Sequence, residues 1–173
     1  MSTPNHQTAA RQQQREINMQ RRIAAALLVC ASFLIAAPGT NAASLPYDES
    51  ANAELALQSG LTTAQQQHKH LLVIFGANWC PDCRALDKAL QGRTGKLIDS
   101  KFIVVKVDVG NFDKNLSLSE HYGSPIKKGI PAAVVVTAED KLLYSTKAGE
   151  LANARNMSET GIYDFFRKII DAP

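Results

Sequence analysis

The chain has 173 residues, with 19 Lys and Arg against 16 Asp and Glu and a formal net charge of +3. Arg11, Arg15, Arg21, Arg22 and Glu16 all lie in the first 42 residues, so the remainder carries 15 basic and 15 acidic side chains and is near neutral. That balance leaves no basic footprint for nucleic acid, and the remaining length of about 130 residues suits one domain with one core.

The polar, arginine-bearing start leads into an apolar run from Ile23 to Ala37 and then Pro38-Gly39-Thr40-Asn41-Ala42-Ala43. This is the layout of a secretory signal peptide. The run is about 15 residues, short of the roughly 20 that cross a bilayer, and Thr40 with Ala42 supplies small residues before a cleavage point at Ala43. Residues 1–42 are therefore expected to be a signal peptide and 43–173 an exported, periplasmic domain. The alternative is an uncleaved anchor, the one circumstance in which the membrane becomes a partner. Arg21-Arg22 also fits a twin-arginine signal, although the alanine-rich continuation argues against it. Cleavage removes Cys30, where Val29 already disfavours lipidation, and leaves Cys80 and Cys83 alone. One close pair in an exported chain points to redox chemistry rather than to a disulfide scaffold.

In chain order, Tyr47 to Lys69 predicts a helix anchored by Leu55, Leu57 and Leu61 and interrupted at Gly60. Leu71–Phe75 predicts a buried strand, and Arg84–Leu90 an amphipathic helix. Gly92–Gly95 is expected as a loop and Lys96–Ser100 as a helical turn, before a β-branched strand from Phe102 to Val109. Strand, helix, strand makes a βαβ unit with parallel strands. A loop at Gly110–Asn115 precedes a helix from Leu116 to Tyr122, and a second loop, Ser124–Gly129, leads to Ile130-Pro131. Ala132–Thr137 and Leu142–Thr146 are expected to form a hairpin around Ala138-Glu139-Asp140-Lys141. After an irregular stretch from Gly149 to Met157, Ser158 caps a last helix with Ile162, Phe165, Phe166, Ile169 and Ile170 on its apolar face.

Chemistry concentrates at Trp79-Cys80-Pro81-Asp82-Cys83, the junction between the first strand and its helix. Unpaired N–H groups and the positive end of the helix dipole favour a thiolate there, which makes Cys80 the expected nucleophile and Cys83 the resolving thiol. Pro81 suits the first helical turn, and the charge of Asp82 is close enough to modulate Cys80. Half of a zinc site is the competing reading of Cys-x-x-Cys, but the mature chain offers no second cysteine pair and only His68, His70 and His121 to complete it. Copper(I) binding or transfer by the two thiols is a second alternative, with Met157 as the sole methionine of the mature chain. The histidines are otherwise surface or loop residues.

The run Phe75-Gly76-Ala77-Asn78-Trp79-Cys80-Pro81-Asp82-Cys83, then Val105-Lys106-Val107-Asp108-Val109, Gly129-Ile130-Pro131-Ala132 and a glycine at Gly149, resembles the thioredoxin superfamily over most of the mature chain. More narrowly, with Gly149-Glu150-Leu151-Ala152-Asn153-Ala154-Arg155, it is similar to exported bacterial thioredoxin-like thiol:disulfide interchange proteins and disulfide isomerases. The resemblance implies an α/β thioredoxin-like fold, a central mixed β-sheet flanked by helices. It implies Pro131 as a cis-proline facing the pair, Trp79 as a shield on one side, and substrate contacts at Ile130 and Gly149. It also implies exchange of disulfides with protein substrates, a thiol:disulfide partner that resets the pair, and no organic cofactor or metal. Reductant, oxidant and isomerase remain open, and the short segment before the first strand lowers the isomerase reading. At Ile74 the chain departs from thioredoxins, which carry a buried aspartate there, so Cys83 is expected to lack an internal base and Lys106 its usual partner. The stretches Ser124–Gly129 and Glu150–Met157 are longer than in a minimal thioredoxin and are expected on the active-site side, either shaping a substrate groove or lying there as surface loops.

Overall fold

The computed structural model describes residues 45–171; the signal-peptide reading of residues 1–42, Cys30 included, lies outside the described residues. Four strands make one mixed sheet in the order β2-β1-β3-β4: β1 (His70–Gly76), β2 (Phe102–Asp108), β3 (Ala132–Val136) and β4 (Leu142–Ser145). β1 runs parallel to β2 and antiparallel to β3, and β4 closes the hairpin with a bulge at Val135/Val136. Among the described residues five α-helices flank the sheet: α1 (Ala53–Gln67), α2 (Pro81–Ala89), α3 (Arg93–Asp99), α4 (Leu116–His121) and α5 (Glu159–Ile170). Among the described residues no helix is long and apolar enough to cross a membrane.

Side chains alternate along a strand, so β1 feeds two cores at once. Leu71, Val73 and Phe75 join α1, α4 and both cysteines on one face. Leu72 and Ile74 join Leu86, Ile98, Ile162 and Phe166 on the other. Because both faces are covered, β1 is written as an unbroken apolar run rather than an alternating one.

Four expectations are corrected. Tyr47–Asn52 is not helical: α1 begins at Ala53, with the Asn52 side chain accepting from the Leu55 N–H at 3.0 Å. Gly60 does not interrupt α1, and Leu55 is no anchor, being 62% exposed. A Cβ at Gly60 would lie 2.6 Å from Val105 Cγ2 and 2.8 Å from Leu71 Cδ1, so the glycine is where the helix touches the sheet. The expected loop Gly92–Gly95 is largely the first turn of α3; a Cβ at Gly95 would fall 1.9 Å from the Leu90 carbonyl oxygen, so close chain crossing, not a break, explains that glycine. The two longer stretches fold as turns around short 3-10 helices, Pro125–Lys128 and Ala154–Asn156.

Candidate active site

β1 ends at Gly76 and α2 starts at Pro81, which leaves Cys80 as the residue that caps the helix. Its sulfur takes the place of a capping oxygen: the Cys83 N–H donates to Cys80 Sγ at 3.2 Å. An N-cap acceptor of this kind satisfies a backbone donor that the helix cannot, and the same donor favours negative charge on the sulfur. From the opposite side Cys80 Sγ lies 3.6 Å from the Ile130 carbonyl oxygen, just ahead of Pro131, whose peptide bond with Ile130 is cis. Cys80, Cys83, Ile130 and Pro131, far apart in sequence, thus meet at one place. Both cysteines are unpaired thiols and both are buried.

Burial, followed by the contact with Cys80, pushes the Cys83 thiol above its ordinary range; the Ala77 N–H and the Tyr47 hydroxyl pull the other way. The sequence reading missed Tyr47. The point that a Cβ on Gly76 would occupy is 2.2 Å from the Tyr47 hydroxyl oxygen and 2.9 Å from Cys83 Sγ, so both groups converge on space that a glycine leaves open. Asn78 fixes the tyrosine's backbone on both sides, accepting from the Tyr47 N–H at 3.0 Å and donating to the Tyr47 carbonyl at 2.8 Å. A glycine closing a strand signals close approach of something else, but the sequence does not say what approaches.

Trp79 is placed on the rim, 51% exposed, its indole N–H held by the Gly110 carbonyl at 2.8 Å and its ring edge-on to Phe112 at 6.1 Å. Asp82 does not project freely toward Cys80. It is buried, accepts from the Arg155 N–H at 3.0 Å and lies 3.7 Å from the Arg155 guanidinium Nε. Lys106 does have a partner, Asp87 of α2, in a half-buried ion pair. Gly149, at φ +75°, lets the two longer stretches meet: a Cβ there would be 2.7 Å from the Lys128 carbonyl oxygen. Met157 packs with Ile162 and Phe166 in the core opposite the cysteines. Among the described residues no group of three or more His, Cys, Asp or Glu is arranged to hold a metal ion.

Residues 52–138 match the model of a thioredoxin-like family. A thioredoxin from Buchnera aphidicola is 31% identical over 57% of this chain and 82% of its own length. The crystal structure of a disulphide isomerase from Xylella fastidiosa Temecula1 is 56% identical, with a TM-score of 0.72, over 75% of this chain and all of that one.

Proposed function

This chain belongs to the thioredoxin-like family, and on that premise we propose that it is an exported thiol-disulfide oxidoreductase acting on protein substrates. The observation that carries the reading is the position of Cys80 Sγ, between the Cys83 N–H in the first turn of α2 and the Ile130 carbonyl beside the cis-proline. Cys80 attacks a substrate disulfide as the thiolate and forms a mixed disulfide; Cys83 then attacks Cys80 and frees the reduced substrate. Where a substrate thiol attacks the mixed disulfide instead, the net result is isomerisation. Both outcomes start from the dithiol, and the Xylella relative, described as a disulphide isomerase, supports including the second. The backbone beside Ile130 and Pro131 receives an extended stretch of substrate, while Trp79 walls one side. A thiol:disulfide partner resets the pair, and the layout of residues 1–42 supports export to the periplasm.

Reduction of a model disulfide protein tests the assignment. Cys80→Ser is expected to abolish turnover, and Cys83→Ala to keep attack and accumulate mixed disulfides that run as one band on a non-reducing gel and come apart when reductant is added. Normal turnover by Cys80→Ser would sink the reading.

A further inference from the structure

Deepening the exchange reaction proposed above, the geometry points to Tyr47 as the hydrogen-bond donor that holds the resolving sulfur of Cys83 during release. Tyr47 precedes α1 and is joined to the motif by no sequence pattern, yet it is only 3% exposed and sits in the core that contains both cysteines. Gly76 leaves its ring end room beside Cys83 Sγ, and Asn78, two residues before Cys80, anchors its backbone through two hydrogen bonds. Strand end, clamp and nucleophile therefore lie within one run, and that run brings the hydroxyl and the second sulfur to the same point above Gly76.

The hydroxyl is a donor and not a base. Burial first, and then the neighbouring Cys83, Cys80 and Asp87, push its own ionisation far above the usual tyrosine range, so it keeps its proton wherever the enzyme works. The ionisable groups facing it are those three, Asp87 being ion-paired with Lys106 of β2, while α1, β1 and β3 present apolar side chains to this core. A buried thiolate at Cys83 has little water to solvate it, and a fixed O–H dipole supplies what the water cannot.

The step balances as follows. Cys83 gives its proton to water and its thiolate attacks Cys80 Sγ; the Cys80–Cys83 bond forms and the bond from Cys80 to the substrate sulfur breaks. The leaving sulfur departs with the electron pair and takes up a proton from solvent, so two electrons pass from the dithiol to the substrate. Tyr47 retains its proton throughout, and its hydrogen bond to Cys83 is strongest while the charge is on sulfur.

The test isolates the second attack from any protein substrate. Reduced full chain is treated with an aromatic disulfide whose thiolate is coloured, which loads one aryl thiol on Cys80 and expels the other in a first phase whose rate scales with probe concentration; stopped flow then follows, across pH, the second, concentration-independent release of the thiol held on Cys80. Tyr47→Phe keeps the ring and removes the hydroxyl. We expect release to slow by about tenfold or more near neutrality and the pH profile to move up by about one unit, the scale of one hydrogen bond to a charged group. Asn78→Ala, which frees the clamp and keeps the hydroxyl, should shift the profile the same way by less, and thermal melts of both variants report whether the fold persists. Profiles of Tyr47→Phe and wild type that superimpose would overturn the inference. Because the probe is a small molecule, a failure of the protein-substrate reading leaves this measurement standing and shows separately, as absent turnover by the wild-type chain.

Discussion

The two faces of the sheet are made from the same three strands, β1, β2 and β3, and hold cores of similar character, but they are asked for different things. Behind β1, Leu72 and Ile74 pack with Leu86, Ile98, Ile162 and Phe166, a cluster whose buried members are all apolar. In front, Leu71, Val73 and Phe75 pack with Cys80, Cys83, Tyr47 and Tyr122, so that two sulfurs and the Tyr47 hydroxyl are enclosed in an otherwise apolar core, while the Tyr122 hydroxyl donates to Asp140 at 2.6 Å. α2 belongs to both, giving Cys83 to the front and Leu86 to the back. The contrast teaches where stability and chemistry are separable. The back core holds neither cysteine and can be weakened away from the redox pair; the front core encloses both.

The largest effect expected from that contrast is on the back face. Phe166 is fully buried, and Phe166→Ala should cost about 3–5 kcal/mol of unfolding free energy in a denaturant titration, the usual penalty for emptying an aromatic site. The rate of disulfide exchange per folded molecule should stay at the wild-type value. A variant that loses exchange rate in proportion to stability would show the faces to be coupled through α2.

How much of this was legible beforehand follows the same division. The apolar run of β1, the helix after Pro81 and the stripe Ile162, Phe166, Ile170 are local patterns, and periodicity exposes them. The parallel pairing of β1 with β2 follows from the strand-helix-strand order. Tyr47 was hidden because its meaning depends on residues 31 positions away, at Asn78, and the polar alanine-rich composition around it looks helical. Ile74 misled for a reason of parity. It was weighed as the missing proton acceptor for Cys83, yet its side chain points into the back core, one residue out of phase with Val73 and Phe75. Reading which face each strand residue must occupy, given that the cysteines share one with Phe75, would have directed attention away from Ile74. The Asp82–Arg155 contact joins residues 73 apart through a stretch with no periodic signal, so nothing local announced it.

A second expected effect is confined to the front face and appears with pH. The Cys83 thiol is held above its ordinary range chiefly by burial, next by its contact with Cys80. An unfolded thiol ionises near 8.5, so the unfolded chain sheds this proton first. The preference for the folded state is therefore complete below about pH 8.5 and is lost as pH rises toward the higher folded value, at no more than about 1.4 kcal/mol per pH unit. The disulfide form has no thiol to titrate. Reduced and oxidised protein should then diverge in stability between about pH 8.5 and 10, the reduced form falling faster, and Phe166→Ala should leave that divergence unchanged. Parallel curves would refute the buried-thiol account.

The smallest effect lies at the seam between the faces, where Asp82 opens α2 two residues after Cys80. A bare carboxylate there would oppose a thiolate on Cys80, making the disulfide relatively more stable and the pair more reducing. Here the carboxylate is turned to Arg155, whose guanidinium side chain is 57% exposed and whose backbone N–H donates to it. An exposed cation is screened by water and salt, so it offsets only part of the negative charge. Two substitutions consequently act in opposite directions. Asp82→Asn keeps an oxygen for the Arg155 N–H but removes the charge, and should raise the reduction potential. Arg155→Ala leaves the carboxylate with only its backbone partner and should lower it. Each shift is expected to stay within about 30 mV, the change that a tenfold difference in equilibrium constant produces for a two-electron couple. Glutathione equilibration at low and high salt measures both. The shifts should shrink as salt is added, and movement of the two variants in the same direction would mean that the stretch around Ala154–Asn156 acts on Cys80 through packing and not through charge.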